Sequence, residues 1–255
     1  MPSDEQYVPQ DYRRLERLYD PLEADSGPGK HVSFMFKSHN KIKSIFIRLM
    51  TPEAMIEELQ RHGRPLDSFK KGDKIIVSNK MVKNYSYTLE QSPGQAFAED
   101  FKPHFTPGQM LRLGVFEGKY LNDCLSEFPC EWFLDALALD KLRPEGPDVG
   151  VNLFKIKSRL PLQEWKKSGW VSSSHKSDRY PSLSMSSNPD ERGWFQWYCR
   201  YWMGRRDPID DVQIKRWKAF SRHSGGVKKN CKPSDLECRP RQRQALLQWA
   251  WNPFV

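Results

Sequence analysis

Trp194, Trp197, Tyr198, Tyr201 and Trp202 recur at i, i+3, i+4, i+7 and i+8, the spacing that gathers five rings on one face of an α-helix. Such a face is too apolar to stay in water, so residues 194–203 are expected to form a helix packed on a core and closed by Gly204. The charge around that helix is as uneven as its aromatic content. Residues 193–255 carry six of the nine tryptophans, and 13 Lys and Arg against five Asp and Glu. That segment holds +8 of the chain's net +9, while the preceding 192 residues are near neutral at 28 basic against 27 acidic. Arginines interleaved with flat rings supply the two components of nucleic-acid binding, phosphate contact and base stacking. Nucleic acid, DNA or RNA, is the partner class this composition points to, with a smaller anionic ligand as the alternative.

Residues 1–29 have seven acidic against three basic side chains and end in Ser26-Gly27-Pro28-Gly29, the composition of a flexible tail. Residues 30–104 read as a small α+β region, with strand character at 31–36, 44–49 and 74–77. Between those strands, Thr51 as N-cap, Pro52 at N1 and Glu53 in the first turn open a helix that Gly63 closes. Residues 30–83 are net +7, a second and weaker basic surface. Residues 105–255 read as a mainly helical domain, interrupted by a Ser/Pro-rich loop at 171–192. Thr106-Pro107-Gly108-Gln109 has capping-box spacing, with Gly114 as the stop. A later helix starts from Asp207 as N-cap and Pro208 at N1 and is expected to stop at Gly225-Gly226, and another begins at Pro240 and runs towards Trp251. The expected fold class is α+β: a small mixed N-terminal region and a larger, mainly α-helical C-terminal domain.

Three groups of cations are candidates for phosphate contact. Arg200, Arg205 and Arg206 follow the aromatic helix, and Lys215, Lys218 and Arg222 share one side of the next, as a solvated face or a phosphate-tracking stripe. Arg239, Arg241 and Arg243 crowd a helix N-terminus, where the macrodipole disfavours cations by about 0.3–1 kcal/mol each. A bound phosphate would resolve that conflict; ion pairing to distant carboxylates is the alternative. Most of the rings are expected in the core, with Trp202 and Trp249 as candidates for a stacking platform at its rim.

Gly114-Val115-Phe116-Glu117-Gly118-Lys119-Tyr120-Leu121-Asn122-Asp123-Cys124 is the best catalytic candidate. Two glycines four apart permit a tight turn or a close backbone approach. Lys119 and Asp123 are one helical turn apart, as nucleophile and acid or base, with Glu117 a nearby carboxylate. An ordinary surface ion pair is the competing account. No cofactor is called for, although Cys199, His223, Cys231 and Cys238 offer sulfur and imidazole donors to zinc. Their spacing matches no common zinc module, and isolated cysteines usually behave as small buried apolar groups. The absence of a signal-like N-terminus, of any apolar run of roughly 20 residues and of a CxxC pair predicts no membrane span, reduced thiols and an intracellular protein, nuclear or cytoplasmic.

The stretches GVFEGKYLNDC, GWFQWYCRYWMGRR and RPRQRQALLQWAWNP resemble a family of proteins without an assigned activity. The resemblance covers roughly residues 105–255 and implies one contiguous unit there. Three functions stay open: nucleic-acid binding with base- or sugar-directed chemistry at Lys119 and Asp123, an enzyme acting on a small anionic metabolite, and a non-catalytic interaction module.

Overall fold

The computed structural model describes residues 32–38, 41–47, 51–82, 85–158, 162–167 and 189–255. The tail expected at 1–29 and residues 171–188 of the Ser/Pro-rich loop lie outside the described residues. The chain divides after Leu49. In the first unit β1 (Val32–Ser38) and β2 (Lys41–Ile47) pair antiparallel, from Val32 opposite Ile47 to Ser38 opposite Lys41.

The second unit opens with α1 (Pro52–His62), whose N-cap Thr51 side chain accepts from the Ala54 N–H and whose C-cap is Gly63. A second hairpin follows, β3 (Lys74–Val77) paired antiparallel with β4 (Tyr85–Thr88), with Ile75, Val77 and Tyr87 turned into the core. The helices α2 (Pro107–Leu113), α3 (Cys130–Ala138) and α4 (Leu162–Lys167) come next, then α5 (Trp194–Met203), α6 (Asp210–Ala219), α7 (Ser221–Asn230) and α8 (Pro240–Gln248). The architecture is mostly helical with two small antiparallel hairpins, broadly α+β. Met55, Leu59, Phe69, Ile75, Val77, Tyr87 and Leu89 share one core with the C-terminal helices.

The core is organised around α5. Trp194, Phe195, Trp197, Tyr198, Cys199, Tyr201 and Met203 are buried, and so are the polar Gln196 and Arg200 between them. The helix is therefore enclosed on nearly every side, where the sequence pattern predicts a single apolar face. Phe101 explains part of this, since its ring meets Trp197, Tyr198, Tyr201 and Trp217 at centroid distances of 4.9–5.7 Å. Rings of this size each remove roughly 150–250 Å² from water, so this cluster is the main apolar driving force of the unit. The expected end of the helix is observed, with Gly204 in the left-handed conformation.

The helix after Asp207 departs from expectation. The Asp207 side chain accepts from the Ile209 N–H as a cap would, but the helix does not stop at Gly225-Gly226. Phe220 keeps right-handed helical angles (φ −73°, ψ −16°), so α6 passes into α7 with only a local tightening. Val227 and Ser224 are buried, and α7 packs on α8. That burial outweighs the poor helix propensity of the two glycines.

Candidate functional site

Arg200 and Arg205 are inside the protein. Arg200 donates to both Glu127 carboxylate oxygens (2.5 and 3.2 Å), to Asp190 Oδ1 (2.9 Å) and to the Pro189 carbonyl (2.8 Å). Arg205 forks onto the two Asp190 oxygens at 3.0 and 2.6 Å and reaches the Tyr85 hydroxyl. The four charged groups are at most 2% exposed. Burial works against charge on both guanidiniums, but Glu127 and Asp190 outweigh it at Arg200, and Asp190 does so at Arg205, so both are held charged. Neither is available to a phosphate. Arg206 caps the same turn from outside, donating to the carbonyls of Tyr201, Arg205, Gln95 and Ala96 and lying 4.1 Å over the Tyr201 ring.

The arginines at the start of α8 separate in the same way. Arg239 and Arg241 are exposed, Arg239 at a left-handed N-cap where it bonds Gln242. Arg243 is fully buried, and its guanidinium is taken up by the carbonyls of Asp235, Cys238, Pro253 and Val255. Its partners are backbone oxygens, which neither a phosphate site nor carboxylate pairing anticipates. The rings proposed as a platform are engaged as well. Trp202 packs edge-on to Trp132, and Trp249 stacks with Trp194 (4.9 Å) and Phe220 (4.8 Å).

The expected thiols are corrected by a disulfide between Cys231 and Cys238, which joins the end of α7 to the turn before α8. Sulfurs bonded to each other are not zinc ligands, and among the described residues no group of His, Cys, Asp and Glu converges as a metal site. Cys199 is buried in α5, and His223 packs at a tilt against Phe220 with its ring pushed towards the neutral form by burial and by Arg222.

Lys119 and Asp123 do not meet. Lys119 turns towards the carbonyls of Pro144 and Glu145. Asp123 pairs with Arg192 at 2.8 Å and accepts from the Lys80 N–H. Burial raises the Asp123 pKa, but those hydrogen bonds and the Arg192 charge outweigh it and hold the carboxyl below its usual range. Glu117 is buried and accepts from the Ser158 N–H. The two glycines serve a close approach: a Cβ on Gly114 would lie 2.0 Å from the Val151 carbonyl oxygen, and one on Gly118 2.9 Å from the Arg143 nitrogen. The segment is a structural clasp on residues 141–153, with Gly118–Arg143 and Gly114–Leu153 backbone bonds.

Among the cations of residues 193–255, eight are exposed: Lys215, Lys218, Arg222, Lys228, Lys229, Lys232, Arg239 and Arg241. Lys218 pairs with Asp100, and among the described residues the other seven form no ion pair. The three- and four-residue spacing keeps 215 and 218 on one side of α6, and 222, 225 and 229 on one side of α7, with the two helices joined at Phe220 through i→i−3 bonds. Elsewhere a shallow cleft of about 570 Å³ lies between residues 90–98 and the start of α6, where Glu90, Asp207, Asp210 and Asp211 outnumber the single cation Arg206 and make the lining net acidic. Among the described residues the only large apolar side chains that are exposed are Ile76 and Leu236.

No protein-family model, curated protein or solved structure matches the chain. Among the described residues no helix is long and apolar enough to cross a membrane.

Proposed function

We propose that the protein binds nucleic acid through the phosphate backbone, along the exposed side of α6 and α7. The observation that carries this is the stripe of Lys215, Lys218, Arg222 and Lys229, of which only Lys218 is neutralised by a carboxylate among the described residues. Unpaired cations fixed on a rigid helix gain by displacing counterions from a polyanion. Base stacking has no comparable support, because the candidate rings are packed against other rings. Binding is accordingly backbone-directed and largely indifferent to sequence. The net acidic lining of the cleft disfavours an anionic metabolite there, and the two large apolar side chains exposed among the described residues do not make a docking patch for a protein.

The test is Lys215→Gln/Arg222→Gln/Lys229→Gln, measured by fluorescence anisotropy on a DNA duplex and on an RNA of unrelated sequence. All three side chains are exposed and form no ion pair among the described residues, so the melting temperature should not move. Each lost phosphate contact should flatten the plot of log affinity against log salt by about 0.7–0.9. A variant that binds with the parent's affinity and salt slope would overturn the proposal.

A further inference from the structure

Gly225 lies within α7, where neither packing nor backbone geometry asks for glycine. Its φ is outside the left-handed region, and a Cβ built on it meets nothing within 4 Å. Its neighbour Gly226 differs, since a Cβ there would lie 3.3 Å from the Gln242 amide on α8. Glycine is among the poorest helix formers, so the fold gains nothing from Gly225 and would gain from alanine. The positions that surround residue 225 on a helical surface are i−4, i−3, i+3 and i+4. Here they are Ser221, Arg222, Lys228 and Lys229, all exposed, and none of the three cations is ion-paired among the described residues.

We infer that Gly225 is the point of closest approach between α7 and a nucleic-acid strand, a bare patch of helix backbone framed by three cations and a hydroxyl. This rests on the phosphate-binding proposal and locates its centre. Without a Cβ the sugar–phosphate chain can come down onto the helix, so that Arg222, Lys228 and Lys229 reach phosphates on either side of the contact and Ser221 adds a hydrogen bond. A methyl at residue 225 would hold the strand off and lengthen all of those contacts together.

Gly225→Ala separates fold from contact, because its effects on the two have opposite sign. The substitution should raise the melting temperature by about 2–4 °C, as expected for a relieved helix glycine in a unit of this size. Affinity for a DNA duplex at about 100 mM salt should nevertheless fall about 5-fold, and Gly225→Leu should weaken it further while the protein stays folded. If the parent binds the duplex and both variants bind equally well, Gly225 is not the contact and only this inference falls. If the parent itself fails to bind, the phosphate-binding proposal falls and takes this one with it.

Discussion

Arg200→Met keeps a long unbranched stem in the core but deletes the guanidinium that holds Glu127, Asp190 and the Pro189 carbonyl. Asp190 retains Arg205. Glu127, 1% exposed, is left without an ion pair among the described residues. An uncompensated buried charge of this kind costs about 3–5 kcal/mol. At about 2–4 °C per kcal/mol for a unit of this size, the melting temperature should fall by about 6–20 °C. Adding Glu127→Gln removes the stranded charge, so the double variant should be more stable than the sum of the two single losses predicts, by about 2 kcal/mol. Urea unfolding followed by tryptophan fluorescence and by circular dichroism measures all three variants. Arg200→Met within about 1 kcal/mol of the parent would refute the assignment of Arg200 to a buried network. So would a double variant as unstable as simple addition predicts. A surface phosphate contact would behave in the opposite way, with unchanged stability and weaker binding.

Opening the Cys231–Cys238 bond, by reduction or by Cys231→Ser/Cys238→Ser, frees a loop with a sequence separation of 7. The chain-entropy cost is about 2.4 kcal/mol, seen as a lower urea midpoint; equal midpoints with and without reductant would contradict it. Burial holds His104 and His223 below the ordinary imidazole pKa, with Lys228 and Arg222 respectively adding to the effect. The unfolded chain therefore takes up those protons first, and stability should be full above about pH 6.5 and decline as pH falls through the depressed values. The urea midpoint should be lower at pH 5.5 than at pH 7.5, and an undiminished drop in His104→Gln/His223→Gln would contradict the assignment.

Local signals in the chain were legible where the chemistry is local. Thr51 with Pro52, and Thr106 with Gln109, specify their helix starts because each cap satisfies an N–H within three residues of itself. Gly204 closes α5 for the same kind of reason. The strand Tyr85–Thr88 went unassigned, although Tyr87 faces the core and its neighbours Ser86 and Thr88 face outward, the alternation of a half-buried strand. The helix across Gly225-Gly226 could not be read from propensity, because it depends on the packing of α7 against α8. The fate of the arginines was the least legible. Arg200 and Arg205 look like surface cations beside an aromatic helix, but Glu127 is 73 residues from Arg200. Only the tertiary fold brings that carboxylate, with Asp190, into contact with them. Arg243 is harder still, since its partners are backbone carbonyls, which no side-chain pattern announces. Lys215, Lys218 and Arg222 are readable as one side of a helix from spacing alone; that Lys229 joins them follows only once the chain is seen to stay helical past Gly225-Gly226.

The phosphate-backbone claim is tested most directly by the salt dependence of binding between the unmodified protein and a DNA duplex of arbitrary sequence. Four to seven exposed cations on α6, α7 and the segment leading into α8, without ion pairs among the described residues, predict a slope of log affinity against log salt between about −3.6 and −6.3, at about 0.9 per phosphate. The slope should be the same for a duplex of different sequence. A slope near zero, or no binding at about 50 mM salt, would contradict the account.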